Sequence, residues 1–507
     1  LQFRAAMRIN AQSNSGQAAW LAVANLISFS FGIVSAAILS RFLSVEEYGS
    51  YRQVLYVYGT LLTVFSLGLP RAYSYFLARL PLAEGRDTVR KMNRIFMVSG
   101  TFFSLTLFFG APHIAAVLKN PELSVLLKWF SPTPLFLLPT LGLESVMATY
   151  RKAACATVYV VLSRTFKLAC TVVPVIIFGG VRAAVIGFVL SSFLCFAAGM
   201  LLERLPFRTV KNIPSSLCFR DLYNYSSALF VAGIWGILYQ SAPQFFVSRW
   251  WGTGAFAEFS NGFVELPFAS MIISAVAAVL LPAFSREAAS GTPEGKAEIL
   301  RLWRSSFLKS AQIIYPLAIF ACFFAGPVIC ILYGEQYSGS VIYFRIVLAV
   351  NLLRVVPFAP VMLALDKVRA YSNATLVCAL AAIGLDSLYV HFFSMAWGIA
   401  VIQCIAFALY VILLLREISA ALGVRMRELV PWKPVLMTAL ISSISCAMAF
   451  AADFMLGCLL PVLRLAADFG IFAAVFLLLS PFAGINFREG FKKLFGKEIM
   501  PNLPTTK

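Results

Sequence analysis

The chain has 507 residues, 60% of them hydrophobic and 12% charged, with a mean hydropathy of +0.85. A soluble globular fold of this length has no use for so much apolar surface, whereas a helical protein that crosses a membrane many times requires it. The net charge of +19 suits cytoplasmic loops lying against anionic headgroups, so nucleic acid is not expected as a partner.

Apolar windows of about 20 residues mark roughly fourteen spans, near 17–39, 53–76, 93–117, 125–149, 155–178, 182–202, 221–247, 256–282, 307–333, 340–364, 371–391, 395–415, 434–455 and 462–484. Helices are expected throughout, because a segment in lipid must satisfy its own backbone groups. The first span carries no charge and runs into a short polar hinge, Leu39-Ser40-Arg41-Phe42-Leu43-Ser44-Val45-Glu46-Glu47-Tyr48-Gly49-Ser50-Tyr51. A similar stretch returns as Ser248-Arg249-Trp250-Trp251-Gly252-Thr253-Gly254-Ala255-Phe256-Ala257-Glu258-Phe259. Ser40-Arg41 overlays Ser248-Arg249, Tyr48-Gly49 overlays Phe256-Ala257, and Tyr51 overlays Phe259. A weaker echo places Leu69-Pro70 against Leu281-Pro282.

An offset of six spans keeps both copies in one orientation, as in transporters built from parallel repeats. The expected fold class is therefore all-α: a polytopic membrane protein of about 14 transmembrane helices, with two pseudo-symmetric six-helix bundles and two C-terminal helices. Residues 1–210 would form the first lobe, 211–420 the second, and 421–507 spans thirteen and fourteen with a cytoplasmic tail.

About 29 of the 41 Lys and Arg residues fall in the termini and the loops on their side, against about 7 in the opposite loops. That bias puts both termini in the cytoplasm and requires an even number of spans. The outer loops are short and offer no paired carboxylates, and no Gly-rich phosphate loop is present. An enzyme is not expected. Ten scattered cysteines and two histidines suggest neither a disulfide framework nor a metal site, and no cofactor is implied.

Several of these segments resemble the polysaccharide and O-antigen flippase family of the multidrug/oligosaccharidyl-lipid/polysaccharide exporter superfamily. The resemblance rests on Ile38-Leu39-Ser40-Arg41-Phe42-Leu43, Glu47-Tyr48-Gly49-Ser50-Tyr51, Ser66-Leu67-Gly68-Leu69 and the Pro282-x-Phe284-Ser285 motif after span eight. It implies two bundles forming a V around a cavity that opens alternately to each side of a bacterial inner membrane. The implied substrate is an undecaprenyl-pyrophosphate-linked oligosaccharide, the implied partner a polysaccharide polymerase, and the implied state a monomer among membrane lipids. Lipid II flippases are a close rival, but they are expected to carry charge within the first helix, and 17–39 has none. A drug/cation antiporter of the same superfamily is the other alternative.

An ionisable group inside the bilayer is costly unless it meets water, a partner or a ligand, so each such group is a candidate. Arg164 and Lys167 share one face of span five and could clamp a pyrophosphate, or pair with Glu144 of span four. Arg354 in span ten is a second phosphate candidate, with Asp386 of span eleven as the alternative partner. Arg71, at the cytoplasmic end of span two, could meet the pyrophosphate on entry. Arg345 can snorkel to the headgroups. Glu258, Asn261 and Glu265 are expected on one face of span eight, and Gln240 and Gln244 on one face of span seven. These groups suit sugar hydroxyls. Glu144, Glu265 and Asp386 are the candidates for ion coupling.

Overall fold

The computed structural model describes residues 14–208, 210, 211, 213–454 and 460–483. The chain is all-α, with no strand among these residues. In order the helices are α1 (Asn14–Phe42), α2 (Val45–Phe65), α3 (Pro70–Leu77), α4 (Leu82–Val117), α5 (Pro121–Phe130), α6 (Thr133–Leu137), α7 (Leu143–Thr149), α8 (Ala153–Phe178), α9 (Gly180–Glu203) and α10 (Phe219–Gly262). There follow α11 (Pro267–Ser290), α12 (Pro293–Phe323), α13 (Ala325–Tyr333), α14 (Ser340–Leu353), α15 (Phe358–Ala364), α16 (Val368–Phe392), α17 (Trp397–Leu422), α18 (Trp432–Asp453) and α19 (Pro461–Leu479).

Among the described residues, eleven helices are long and apolar enough to cross a membrane. The three other expected spans coincide with interrupted or more polar elements. Span two is α2 and α3, separated by a turn in which Leu67 and Gly68 take positive φ. Span four is the string α5–α6–α7, where Pro132, Pro134 and Pro139 withhold the amides a continuous helix would need. Span seven is the first part of α10, a 44-residue element that turns sharply at Gly252 (φ 82°, ψ −171°), a conformation open in practice only to glycine. Among the described residues, eleven of the fourteen expected spans thus coincide with helices of spanning length and apolarity.

Two compact units are present, interleaved in sequence. The first is drawn from Leu1–Phe263, Leu332–Tyr343 and Ser372–Ala406, the second from Val264–Ile331, Phe344–Tyr371 and Phe407–Lys507. In the second, Phe320, Phe324, Phe472 and Phe476 form a buried cluster that joins α12 to α18 and α19. Trp303 is fully buried there and donates to the Leu429 carbonyl at 3.1 Å.

In the first unit, Phe103 stacks on Phe65 and Tyr58, tying α4 to α2. The basic residues of the α4 start do more than set orientation: Lys91 binds Ser215 and Leu217, and Arg86 binds the Val210 carbonyl. These bonds hold the 210–217 connection against the helix.

The polar hinge at 39–51 is a helix–turn–helix junction. Ser44 accepts the Glu47 amide while Glu47 accepts the Ser44 amide, a capping box that starts α2 immediately after α1 ends. Its echo lies directly against it. A Cβ on Gly49 would stand 2.1 Å from the Thr253 carbonyl oxygen, so α2 and the stretch of α10 beyond Gly252 cross almost backbone to backbone.

Gly49→Ala is expected to destabilise the fold by about 2 kcal/mol or more, the cost of overpacking a rigid contact. Gly254→Ala, where the nearest atom is Val45 Cγ1 at 3.7 Å, should be neutral or slightly stabilising. Thermal unfolding of the two purified variants in detergent measures the difference.

Candidate functional site

Four helices of the first unit, α1, α2, α8 and α9, enclose a cavity of about 350 Å³. Arg52, Arg164 and Lys167 line it together with Tyr48, Tyr51 and Thr171, and no lining residue is acidic. Helical spacing explains the arrangement. Arg164, Lys167 and Thr171 follow one another at three and four residues on α8, and Tyr48, Tyr51, Arg52 and Leu55 do the same on α2.

Each cation is held by neutral groups. Arg164 Nε donates to Ser28 Oγ on α1 at 3.2 Å. Lys167 Nζ stands 4.5 Å from the centre of the Phe188 ring on α9. Arg52 Nη2 donates to the Ser260 carbonyl at 2.9 Å, and Tyr48 donates to Asn261 Oδ1 at 2.8 Å. Among the described residues no ion pair reaches any of the three cations. Thr171 Oγ1 is buried with no hydrogen-bond partner. Three positive charges without an ion-pair partner among the described residues stand around one concave space with hydroxyl donors beside them, a chemistry that suits a multiply charged anion.

The other expected site residues are distributed differently. Glu144 is exposed on α7 and makes no ion pair with Arg164 or Lys167. Arg354 pairs with Glu265, its Nη1 lying 2.6 Å from both carboxylate oxygens, within the second unit. Glu265 was expected on one face with Glu258 and Asn261, but α10 ends at Gly262 and α11 begins only at Pro267. The intervening loop, closed by Pro267, takes Glu265 off the helix.

Glu258 and Asn261 remain together on the last turns of α10, where Asn261 Nδ2 is buried without a partner. Gln240 is exposed and Gln244 half-buried, one turn apart earlier on the same helix. Asp386 is fully buried on α16, and neither of its oxygens is hydrogen-bonded. Arg345 donates to the Cys322 carbonyl at 3.3 Å. The side chain of Arg71 lies outside the described residues.

Sequence reasoning missed Arg52, Tyr48 and Tyr51, because the apolar window near 53–76 leaves all three outside span two. The signal was present in Ser44-x-x-Glu47, which begins a helix at 45 and puts all three residues on one helical face.

The sequence model of a family described as polysaccharide biosynthesis protein matches residues 38–342. Among solved structures, the fold is similar to that of the lipid II flippase MurJ in an inward closed conformation. The TM-score is 0.67 at 15% identity, over 92% of this chain and 99% of that one. It is also similar to an inward-facing multidrug resistance MATE family transporter of the MOP superfamily, with a TM-score of 0.62 at 12% identity over 78% and 98%. A MOP superfamily transporter from Pyrococcus furiosus aligns with a TM-score of 0.56 at 13% identity over 81% and 97%. At these identities the likeness establishes the fold. No curated protein matches the chain by sequence.

The Arg354–Glu265 pair is 39% and 42% exposed, so neither charge is buried within the protein. Arg354→Ala, Glu265→Ala and the double variant should give a coupling energy of about 1 kcal/mol or less. Thermal or denaturant unfolding of the four proteins measures it.

Proposed function

Because the chain belongs to the polysaccharide biosynthesis protein family, we propose that this MOP-type transporter is a flippase for an undecaprenyl-pyrophosphate-linked oligosaccharide. The substrate would be an O-antigen or another polysaccharide repeat unit. The observation that carries the proposal is the cavity whose wall holds Arg52, Arg164 and Lys167 with no acidic neighbour. A diphosphate esterified at both ends still carries a negative charge on each phosphate at neutral pH. Planar guanidinium groups bind its oxygens in pairs, and an ammonium adds a compact point charge.

In this reading Arg164 and Lys167 seat the pyrophosphate and Arg52 completes the ring of donors. Arg71 and Arg354 serve the head at other stages of its passage. Gln240, Gln244, Glu258 and Asn261 offer the amides and carboxylate that suit sugar hydroxyls, and Glu265 joins them once released from Arg354. No covalent step is involved, and alternating access moves the head between leaflets. Asp386, buried without a hydrogen-bonding partner, is the strongest of the three acids proposed for ion coupling. Glu144 is exposed, and Glu265 is engaged by Arg354.

The excess of Lys and Arg on one side supports a reading with both termini in the cytoplasm, and the proposed substrate implies a bacterial inner membrane. There the protein would act as a monomer, handing its cargo to a polysaccharide polymerase. Lipid II is the second reading, favoured by the fold shared with MurJ over 92% of this chain. Both cargoes present the same diphosphate, so the sugars decide between them. A cationic drug is disfavoured, since three positive charges would repel it.

Reconstitution into vesicles with a lipid-pyrophosphate oligosaccharide, its leaflet read by an added glycan-cleaving enzyme, tests the reading. Wild-type protein should equilibrate the leaflets, and Arg164→Ala should slow this about 10- to 100-fold, the effect of losing a charge-assisted hydrogen bond. Arg354→Ala should slow it as well. Unchanged leaflet distribution with correctly folded protein would reject flipping, and faster movement of lipid II would select the second reading.

A further inference from the structure

The crossing of α2 with the end of α10 is tied by a short series of hydrogen bonds. Tyr48 donates to Asn261 Oδ1, Arg52 to the Ser260 carbonyl, Gln53 Nε2 to Ser248 Oγ at 2.7 Å, and Tyr56 to the Ser241 carbonyl at 3.2 Å. All four donors are on α2 and all four acceptors on α10. Two of the donors, Tyr48 and Arg52, also line the cationic cavity, while Gln53 and Tyr56 do not.

The same side chains thus face two sets of acceptors. On one side stand a neutral amide oxygen and a neutral carbonyl, both buried with their residues at 2% and 8% exposure. On the other stands the space bounded by Arg164 and Lys167. A phenol has a single proton to donate, so Tyr48 can serve Asn261 or an anion but not both. Bonds to an ionised acceptor are about twice as strong as those between neutral groups. A diphosphate in the cavity would therefore compete with Asn261 for the Tyr48 proton, and the Arg52 guanidinium, which spends one of its five N–H donors on Ser260, has others to turn toward the anion.

We infer that Tyr48 and Arg52 form an exchangeable tie: they bind the 253–262 stretch of α10 until a diphosphate-bearing ligand claims them, and occupancy of the cavity thereby loosens the α2–α10 crossing. The tie rests on the cavity reading above and adds the route by which binding is communicated to a helix contact. Gln53 and Tyr56, which do not touch the cavity, keep α2 and α10 in register while the exchange takes place. Tyr48 and Arg52 are positioning residues for the conformational step as well as ligand contacts.

Hydrogen exchange read by mass spectrometry tests this on the full chain in detergent, with inorganic pyrophosphate as the probe and calorimetry on the same sample to establish binding. With pyrophosphate bound, amides of 253–262 should exchange several-fold faster, while peptides of α12 stay unchanged. Tyr48→Phe should raise exchange at 253–262 without pyrophosphate and shrink the further increase on binding. Asn261→Ala, which removes the acceptor and leaves the cavity wall intact, should do the same and guards against a folding defect in the first variant. Lys167→Met should abolish both binding and response. Binding by the wild type with unchanged or slower exchange at 253–262 would overturn the tie and leave the cavity reading standing. No binding by the wild type would overturn both.

Discussion

The close crossing of α2 over the end of α10 is the contact on which the first unit depends. Only a residue without a Cβ fits at Gly49, because the Thr253 carbonyl occupies the space a side chain would take. Backbones that approach this closely bring short polar side chains into direct reach, so Tyr48, Arg52, Gln53 and Tyr56 all find acceptors on α10. Gln53 extends the contact by accepting from Asn120, which also donates to Ser50 and caps α5. In lipid, where no water competes, such interhelical bonds take over the role that apolar burial plays in a soluble core. The crossing also fixes the α2 wall of the cavity, since Tyr48, Tyr51 and Arg52 take their positions from it.

Charge is treated in two ways along the chain. Arg464 is bound bidentately by Asp453, Arg354 by Glu265, and Lys91 by Asp87. The three cations of the cavity, by contrast, make do with hydroxyl, carbonyl and aromatic neighbours. Holding like charges near one another without a counter-ion costs stability unless a ligand supplies the charge. A carboxylate from a neighbouring segment offsets such a charge, as Glu265 does for Arg354.

The class of fold was legible because a membrane leaves a chain few options, and runs of about 20 apolar residues translate directly into helices. The pairing of Arg164 with Lys167 was legible for a similar reason, since both lie on one uninterrupted helix and their spacing puts them on one face. Legibility failed where helices break. Hydropathy averages over a window and cannot register a single backbone torsion, so the turn at Gly252 and the loop at 263–266 were invisible, and Glu265 was kept on the wrong face. The partner of Arg354 was missed because contact between distant segments leaves no trace in local periodicity. Arg52 was lost to a boundary set by hydropathy, although the capping box placed the helix start eight residues earlier than the apolar run.

The two echoing stretches match in pattern but not in chemistry, and the difference has a direction. Tyr48-Gly49 in one overlays Phe256-Ala257 in the other. Phe256 has no hydroxyl to offer and packs against Tyr56 edge-on at 5.7 Å. The four donors of the crossing all belong to α2 and the four acceptors all to α10. A fully symmetric pair would have put equal hydroxyls and equal charges on both, and an anion could then have drawn on either. With Tyr48 and Arg52 both on α2, a ligand in the cavity draws on the α2 side of the contact. An unequal pair of hinges is what a ligand-responsive crossing requires, since only then does binding favour one set of bonds over the other.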